Sequence, residues 1–111
     1  MYNKYNAKKS EYEGIVFDSR KEMTKYIELR AWQRAGHVTM IELQPEFELQ
    51  PGYIGPDGKK VRPIIYRADF LVTYAGGRQV VIDTKGFKTK DFLLKKKILL
   101  YKYPKIEFLE E

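Results

Sequence analysis

A strand that ends in two charged residues constrains this chain more than any other feature. The apolar run 80–82 leads directly into an acid, Asp83, then one spacer residue and a lysine, Lys85. Because side chains alternate between the two faces of a strand, Asp83 and Lys85 point the same way. A second acid, Asp69, interrupts an apolar run upstream, on what we predict to be a neighbouring strand. The sequence therefore predicts clustered charges at one end of a sheet.

Two clustered carboxylates suit a hard divalent cation such as Mg²⁺. Lys85 can orient a water molecule or stabilise charge that develops on a phosphate. A simpler interpretation stays open, since the same acid-x-lysine triplet can form an ordinary ion pair at a sheet edge. Asp69 bears on the choice between a metal site and an ion pair, because burying a carboxylate without a partner is energetically unfavourable. Its partner is either a metal ion or a cation such as Arg67, Arg78 or Lys85.

The composition favours one globular domain with an anionic partner. A length of 111 residues predicts a single domain, 1–111. The formal net charge of +6 favours nucleic acid as that partner, although many small domains are mildly basic and bind none. The chain has no cysteine, which excludes disulfides and thiolate sites and fits a reducing cytoplasm. No segment approaches the roughly 18 apolar residues of a membrane helix.

The periodicity of apolar residues predicts the order helix, four strands, helix, strand, which is an α/β domain with a mixed sheet. Ser19 and Glu22 form a capping-box pattern that opens a helix over about 20–35, and Gly36 ends it. The apolar arc of this helix is predicted to contain Met23, Tyr26, Ile27, Leu29 and Ala31.

The remaining elements are predicted from alternation and from turn residues. Residues 1–12 are expected to be a loose arm, and 51–58 a turn-rich loop. Thr89 or Asp91 can cap a second helix that runs to about Lys102. The strands are predicted near 39–43, 46–49, 62–74, 78–84 and 105–109.

Glu22 is a third candidate acid. One interpretation gives it the ordinary reciprocal role in capping Ser19. Its position favours another, because at 100° per residue it falls between Leu29 and Tyr26, inside the apolar arc. A helix packed on the sheet would then direct Glu22 inward.

The second helix and the N-terminal arm are rich in lysine. As phosphate contacts these lysines would supply nonspecific affinity for DNA. For any single lysine, solvation of the outer surface is an equally open interpretation. The candidate nucleic-acid contacts are Lys88, Lys90, Lys95, Lys96 and Lys97, together with Lys4, Lys8 and Lys9 of the arm.

The turn before the strand near 78–84 decides whether the two aspartates can meet. A two-residue hairpin loop would direct Asp69 and Asp83 to opposite faces of the sheet. A three-residue loop over 75–77 pairs Tyr74 with Arg78 and brings the two acids opposite each other, with Cβ atoms roughly 5 Å apart. A bulge or splayed strands near Asp69 could achieve the same alignment. We predict that the two acids converge on one face, with Lys85 beside them.

Four blocks of sequence follow in order: F-D-S-R-K-E at 17–22, L-Q-P-E-F at 43–47, Y-R-A-D-F at 66–70 and D-T-K-G at 83–86. Together they resemble the PD-(D/E)XK nuclease superfamily. Within it, they resemble a family of small phage proteins similar to TnsA-type transposon endonucleases and Holliday-junction resolvases. The resemblance implies a restriction-endonuclease-like α-β-β-β-α-β core, with helices flanking a mixed central sheet.

The resemblance also implies roles for single residues. Asp69 and Asp83 would bind the metal, Glu22 would assist directly or through water, and Lys85 would position the attacking water. Two positions depart from the usual pattern, since Ala68 replaces a proline and Asp83 stands where glutamate is more frequent.

These observations predict a Mg²⁺-dependent DNA endonuclease, with Mn²⁺ as a possible substitute. The resemblance implies a homodimer of phage origin, located in the cytoplasm of the bacterial host, that acts on branched or Holliday-junction DNA. A non-catalytic DNA-binding or recombination accessory protein with the same fold is the alternative. A structural phage protein whose acids form ion pairs is a third interpretation.

Overall fold

The computed structural model describes residues 9–84 and 88–111. Within them the fold is mixed α/β, with two helices, α1 (Arg20–Arg34) and α2 (Lys90–Lys102). The strands are β1 (Ser10–Tyr12), β2 (Ile15–Phe17), β3 (Val38–Leu43), β4 (Glu46–Gln50), β5 (Tyr53–Ile54), β6 (Lys60–Val61), β7 (Ile64–Arg67), β8 (Phe70–Tyr74), β9 (Gln79–Asp83) and β10 (Glu107–Glu110).

A four-stranded mixed sheet in the order β10-β9-β8-β3 forms the centre of the fold. Strand β8 runs antiparallel to both of its neighbours, β3 and β9, and β10 adds to β9 in parallel. The parallel addition requires a crossover, which α2 supplies between β9 and β10. The predicted α/β class and mixed sheet are therefore confirmed.

The sheet is covered on both faces, which explains why its central strands are almost continuously apolar. One core contains Phe70, Val72 and Ile82 of the sheet packed with residues of α1 such as Tyr26 and Leu29. The second core combines the alternate sheet residues, Val81 among them, with Phe92 and Leu99 of α2 and with residues of β4 and β7. The two helices thus flank opposite faces of the sheet.

Helix α1 begins where the sequence predicts, and the stripe of residues that it buries against the sheet is narrower than the predicted apolar arc. Ser19 is the N-cap residue, and its Oγ accepts a hydrogen bond from the Glu22 N–H at 3.1 Å. The buried residues are Glu22, Tyr26 and Leu29, spaced at i, i+4 and i+7. The expectation that Ile27 and Ala31 belong to the buried arc is wrong. Both residues are exposed, because the stripe that meets the sheet is centred on Tyr26.

Strands β3 and β8 bend at the edge of the sheet and continue as a two-stranded ribbon, residues 46–67. Strands β4 and β7 pair antiparallel at its base, and β5 and β6 pair antiparallel at its tip. The single strand predicted over 62–74 is therefore wrong, since it breaks at 68–69 into β7 and β8. At this bend the Ala68 N–H donates to the Pro45 carbonyl, and the Gln44 N–H donates to the Asp69 carbonyl. The predicted loop over 51–58 contains the tip strand β5.

The N-terminal prediction needs a further correction. Residues 10–12 pair with residues 15–17 as an antiparallel hairpin, whereas the sequence suggested a loose arm up to residue 12. Tyr12 packs beside Tyr26 with their ring centroids 6.2 Å apart. That contact ties the hairpin to α1. In the part of the chain that the structure describes, neither helix is long and apolar enough to cross a membrane.

Candidate functional site at the end of strands β8 and β9

Asp83 ends β9 and is almost completely buried, with 1% of its surface exposed. The hydroxyl of Tyr66, on β7, donates a hydrogen bond to Asp83 Oδ2. Tyr66 is itself buried, and the rings of Phe47, Phe92 and Phe108 lie 6.1 to 6.3 Å from its ring. Burial, then the hydrogen bond and charge of Asp83, raise the pKa of Tyr66, so the phenol stays protonated and donates.

Asp69 lies at the bend between β7 and β8, where its carboxylate reaches the end of β9. Its Oδ2 atom accepts two hydrogen bonds from Thr84, one from the backbone N–H at 2.6 Å and one from Oγ1 at 2.8 Å. Its own N–H donates to the Ile82 carbonyl at 3.2 Å. The side chain of Asp69 is half-buried, whereas Thr84 is 7% exposed.

The register between β8 and β9 is the one predicted from a three-residue loop. The Tyr74 N–H donates to the Arg78 carbonyl at 2.8 Å, and Phe70 pairs with Ile82 at the other end of the ladder. The regular ladder stops there. In that register Asp69 and Asp83 would form a non-hydrogen-bonded pair, with the Asp69 N–H directed away from β9. The hydrogen bond from the Asp69 N–H to the Ile82 carbonyl therefore shows that the strands depart from regular pairing at Asp69. The predicted register is confirmed, and Asp69 lies just beyond the ladder.

Glu22 lies in the first turn of α1 and is 5% exposed. Its predicted inward orientation is confirmed. Burial is the largest cause that raises the pKa of Glu22 from 4.5 to about 7, and the negative charges of Asp69, Asp18 and Asp83 raise it further. A hydrogen bond from the Asp18 backbone acts in the opposite direction. Glu22 therefore lies within electrostatic range of both aspartates.

The three acids and Thr84 form a set that we call the acid cluster: Glu22, Asp69, Asp83 and Thr84. Among the described residues, the buried polar or charged side chains are Glu22, Asp83 and Thr84, and all three belong to it. The acids come from three separate elements, α1, the β7–β8 bend and β9. Within residues 9–84 and 88–111, no three His, Cys, Asp or Glu side chains are arranged closely enough to hold a metal ion as they stand.

An open cleft of about 440 Å³ borders the acid cluster at Thr84. Arg20 and Lys21, at the start of α1, contribute exposed positive charge to this cleft. Lys25, which also lines the cleft, pairs with Glu111 at 2.7 Å. The cleft thus places cations around Thr84, the residue that binds Asp69.

The lysines predicted to contact nucleic acid have different surroundings. Lys88 pairs with Glu110 at 2.5 Å, Lys96 pairs with the same carboxylate, and Lys95 lies 3.4 Å from Asp91. Hydrogen bonds from Lys88 and Lys96 hold the pKa of Glu110 below its ordinary value. The other described lysines of that set, Lys9, Lys90 and Lys97, are exposed. The predictions for Lys4, Lys8 and Lys85 fall outside the described residues.

Two residues of the site, Tyr66 and Thr84, are not singled out by the sequence. Thr84 is the spacer between the two charged residues of the triplet. A small polar side chain at the end of an otherwise apolar strand is the signal that could have indicated a hydrogen bond to a carboxylate. Tyr66 carries no such local signal. Its contact with Asp83 depends on the bend that brings β7 across the sheet.

Comparison with known protein families places the chain without assigning an activity to it. A family model described as protein of unknown function, DUF1064, matches residues 2–109. The chain belongs to this family. No curated protein and no solved structure gives a significant match. The acid cluster, all of which lies within the matched residues, is therefore the basis on which a function can be argued.

Proposed function

We propose that the chain is a Mg²⁺-dependent DNA endonuclease whose active site is the acid cluster on a restriction-endonuclease-like core. One observation carries the proposal. The buried polar and charged side chains of the described residues are Asp83 and Thr84 at the end of β9 and Glu22 in the first turn of α1, which lies within electrostatic range of Asp69 and Asp83. Buried like charges oppose folding, so their retention at one site favours a functional role.

The donor set suits the proposed cation. Asp69 and Asp83 would hold it, with Glu22 assisting, since carboxylate oxygens are the ligands that Mg²⁺ and Mn²⁺ prefer. A bound divalent cation would supply Lewis-acid stabilisation to the scissile phosphate. It would also offset the repulsion that Asp69 and Asp83 exert on Glu22. The carboxylates must draw closer together to share one ion, because they do not form a coordination shell as they stand.

Protein groups hold each acid for this role. Tyr66 orients Asp83 from the aromatic core, and Thr84 orients Asp69 across the strand end. Glu22, with a pKa of about 7, is close to half-protonated at neutral pH. A carboxyl group with that pKa can accept or return a proton at physiological pH. Lys85, next to Thr84 in sequence, is proposed to position the attacking water.

DNA is the proposed partner, and nonspecific affinity would come from the basic surface. Lys9, Lys90 and Lys97 are exposed and can reach phosphates directly, whereas Lys88, Lys95 and Lys96 must compete with carboxylates of the protein. Lys4 and Lys8 are included in the proposal from the sequence. A homodimer in the cytoplasm of a phage-infected host, acting on branched or Holliday-junction DNA, completes the proposal.

A non-catalytic DNA-binding or recombination accessory protein is the second candidate. It is favoured by the hydrogen bonds that already occupy the acids, from Thr84 to Asp69 and from Tyr66 to Asp83. Such bonds can stabilise carboxylates without any metal ion.

A cleavage assay separates the two candidates. Purified protein is incubated with linear, nicked, flapped and four-way-junction DNA in Mg²⁺, in Mn²⁺ and in EDTA. The nuclease proposal predicts metal-dependent cleavage of at least one substrate, which Asp69→Asn and Asp83→Asn abolish. Asp91→Asn is the matched control, because Asp91 is an exposed aspartate on α2. Binding to these DNAs without cleavage in either metal would favour the accessory protein and contradict the nuclease.

A further inference from the structure

We infer that the tip of the ribbon, residues 53–62, enters the major groove of duplex DNA. This inference rests on the proposed function, which supplies DNA as the partner, and adds a contact surface that the DNA-binding lysines do not include. The tip combines uncompensated positive charge, exposed apolar side chains and the width of a two-stranded ribbon.

The charge of the tip is uncompensated. It carries Lys59, Lys60 and Arg62 against a single acid, Asp57. Asp57 Oδ1 accepts the Lys59 backbone N–H at 3.0 Å, so this carboxylate serves the turn. Over the described residues, none of the three cations forms an ion pair, unlike Lys96 of α2. Cations without carboxylate partners are available for phosphates and base edges.

The shape of the tip fits a groove. Tyr53 pairs with Val61 and Ile54 with Lys60, in a two-stranded antiparallel ribbon. The major groove of B-DNA, about 12 Å wide, admits such a ribbon. Tyr53 and Ile54 are 52% and 61% exposed, and apolar side chains of this kind contact thymine methyl groups in that groove.

The turn at the tip is ordered before any partner arrives. The Gly55 N–H donates to the Lys59 carbonyl at 2.8 Å, and the Gly58 N–H donates back to the Gly55 carbonyl at 2.9 Å. Gly58 has a φ of +79°, which glycine adopts without strain. A preformed tip loses little conformational entropy on binding.

The base of the ribbon is attached to the acid cluster. Tyr66, on β7, donates to Asp83, and Arg62 lies four residues before it. At about 3.3 Å per residue, Arg62 lies roughly 13 Å along the ribbon from Tyr66, and Lys60 roughly 20 Å. One turn of duplex is about 34 Å long. A single duplex can therefore lie against the acid cluster and meet the tip less than one turn away.

An affinity comparison at matched charge tests the inference. The ribbon variant Lys59→Ser/Lys60→Ser/Arg62→Ser is compared with the control Arg34→Ser/Arg67→Ser/Arg78→Ser, whose arginines form ion pairs with acids of the protein and are not among the proposed DNA contacts. Both remove three positive charges.

Affinity is measured in EDTA by fluorescence anisotropy, on a labelled duplex of about three helical turns, over a series of salt concentrations. We expect the ribbon variant to lower the slope of log affinity against log salt by about 2 to 3, and to bind about 10-fold or more weakly at moderate salt. The control should change both quantities by less than half as much. Equal effects of the two variants would overturn the inference.

A crosslinking experiment gives a second readout that does not depend on removing charge. The chain has no cysteine, so Ile54→Cys on the tip and Tyr101→Cys on α2 can each carry a single photo-crosslinker. Tyr101 is 87% exposed and serves as the accessible control. We expect strong crosslinking to duplex DNA from position 54 and weak crosslinking from 101. Crosslinking of position 54 to a second copy of the chain, in place of DNA, would overturn the inference.

The groove is identified by methylation of guanine N7, which lies in the major groove. Wild-type protein should protect N7, and the ribbon variant should not. Failure here is distinguishable from failure of the proposed function. Wild-type protein that cleaves DNA in Mg²⁺, with a ribbon variant equal to its control, overturns only the inference. Wild-type protein that neither binds nor cleaves DNA overturns both.

Discussion

The acid cluster and the ribbon tip treat charge in opposite ways. The acid cluster buries two of its three carboxylates, with Asp83 at 1% exposure, and hydrogen-bond donors of the protein bind Asp69 and Asp83. The tip exposes Lys59, Lys60 and Arg62, which have no ion-pair partner in the part of the chain that the structure describes. The two regions are connected through Asp69, which lies at the bend between β7 and β8, because β7 belongs to the ribbon that ends in the tip.

The difference indicates a division of roles. Burying and orienting charged side chains lowers the stability of the fold. Catalytic groups nevertheless require it, because a reaction depends on their positions to within fractions of an ångström. Exposed, unpaired charges cost little and contribute long-range attraction that salt screens. Changes in the acid cluster should therefore affect reaction rate and folding stability, whereas changes at the tip should affect affinity.

Asp83→Asn should have the largest effect on rate. Loss of the buried carboxylate should reduce cleavage in Mg²⁺ by on the order of 100-fold or more. DNA affinity should be unchanged or slightly stronger, because one negative charge near phosphate is lost. Single-turnover cleavage and anisotropy measure the two quantities, with Asp91→Asn as control. Cleavage at the wild-type rate would show that Asp83 is not part of the active site and would contradict the proposed division of roles between the acid cluster and the tip.

Lys85→Ala should also reduce rate far more than affinity. A lost electrostatic stabiliser costs on the order of 100-fold in rate, whereas a lost phosphate contact lowers the salt slope by only about one. Lys97→Ala, an exposed lysine of α2, is the control and should affect only the slope. If Lys85→Ala reduced affinity and rate equally, Lys85 would belong with the ribbon cations as a binding residue.

Glu22→Gln should stabilise the fold above neutral pH. The pKa of Glu22 is raised from 4.5 to about 7 in the folded protein. The stability associated with the protonated carboxyl is therefore fully present below pH 4.5 and is lost as the pH rises through about 7. By pH 8 the loss amounts to about 3 kcal/mol, and the glutamine variant avoids it.

Chemical denaturation at pH 4 and at pH 8, without metal ions, measures this effect. Glu28→Gln is the control, because Glu28 lies on the same helix with 54% of its side chain exposed. Wild type and Glu22→Gln should differ much more at pH 8 than at pH 4. The same difference in the free energy of unfolding at both pH values would show that burial does not raise the pKa of Glu22.

Tyr66→Phe should destabilise the fold by about 1 to 3 kcal/mol, since it removes a buried hydrogen bond to a carboxylate. Tyr26→Phe is the matched control. Tyr26 is 8% exposed, and within the described residues its hydroxyl donates no hydrogen bond. Urea denaturation at neutral pH compares the two variants. Equal small losses would mean that Tyr66 acts by packing alone and does not orient Asp83.

Local signals in the sequence were enough to predict part of this site. The cap at Ser19 fixes where α1 begins, and the 100° spacing then directs Glu22 inward. The three-residue loop over 75–77 is the alternative that brings Asp69 and Asp83 opposite each other, and β8 and β9 adopt its register. The cap and the loop both involve residues that are close in sequence.

The rest depends on contacts between distant segments. The bend at 68–69 divides a strand that alternation alone predicts as continuous, and it brings Tyr66 over Asp83. The hairpin over 10–17 pairs the short polar segment 10–12 with the apolar segment 15–17, and both contact α1. The polar composition of residues 1–12 alone indicated a loose arm. Ion pairs of Lys88 and Lys96 with Glu110 likewise require the parallel addition of β10.

The titration of Glu22 with and without Mg²⁺ tests the acid cluster as a cation site most directly. Carbon-13 labelling of the glutamate side chains allows the carboxyl of Glu22 to be followed by NMR over pH, with assignment from Glu22→Gln. We expect a pKa of about 7 without metal and a clear decrease in saturating Mg²⁺, because the cation favours the ionised carboxylate. Asp83→Asn should abolish most of the Mg²⁺-dependent decrease. A Glu22 titration that Mg²⁺ leaves unchanged in the wild-type protein would contradict the account.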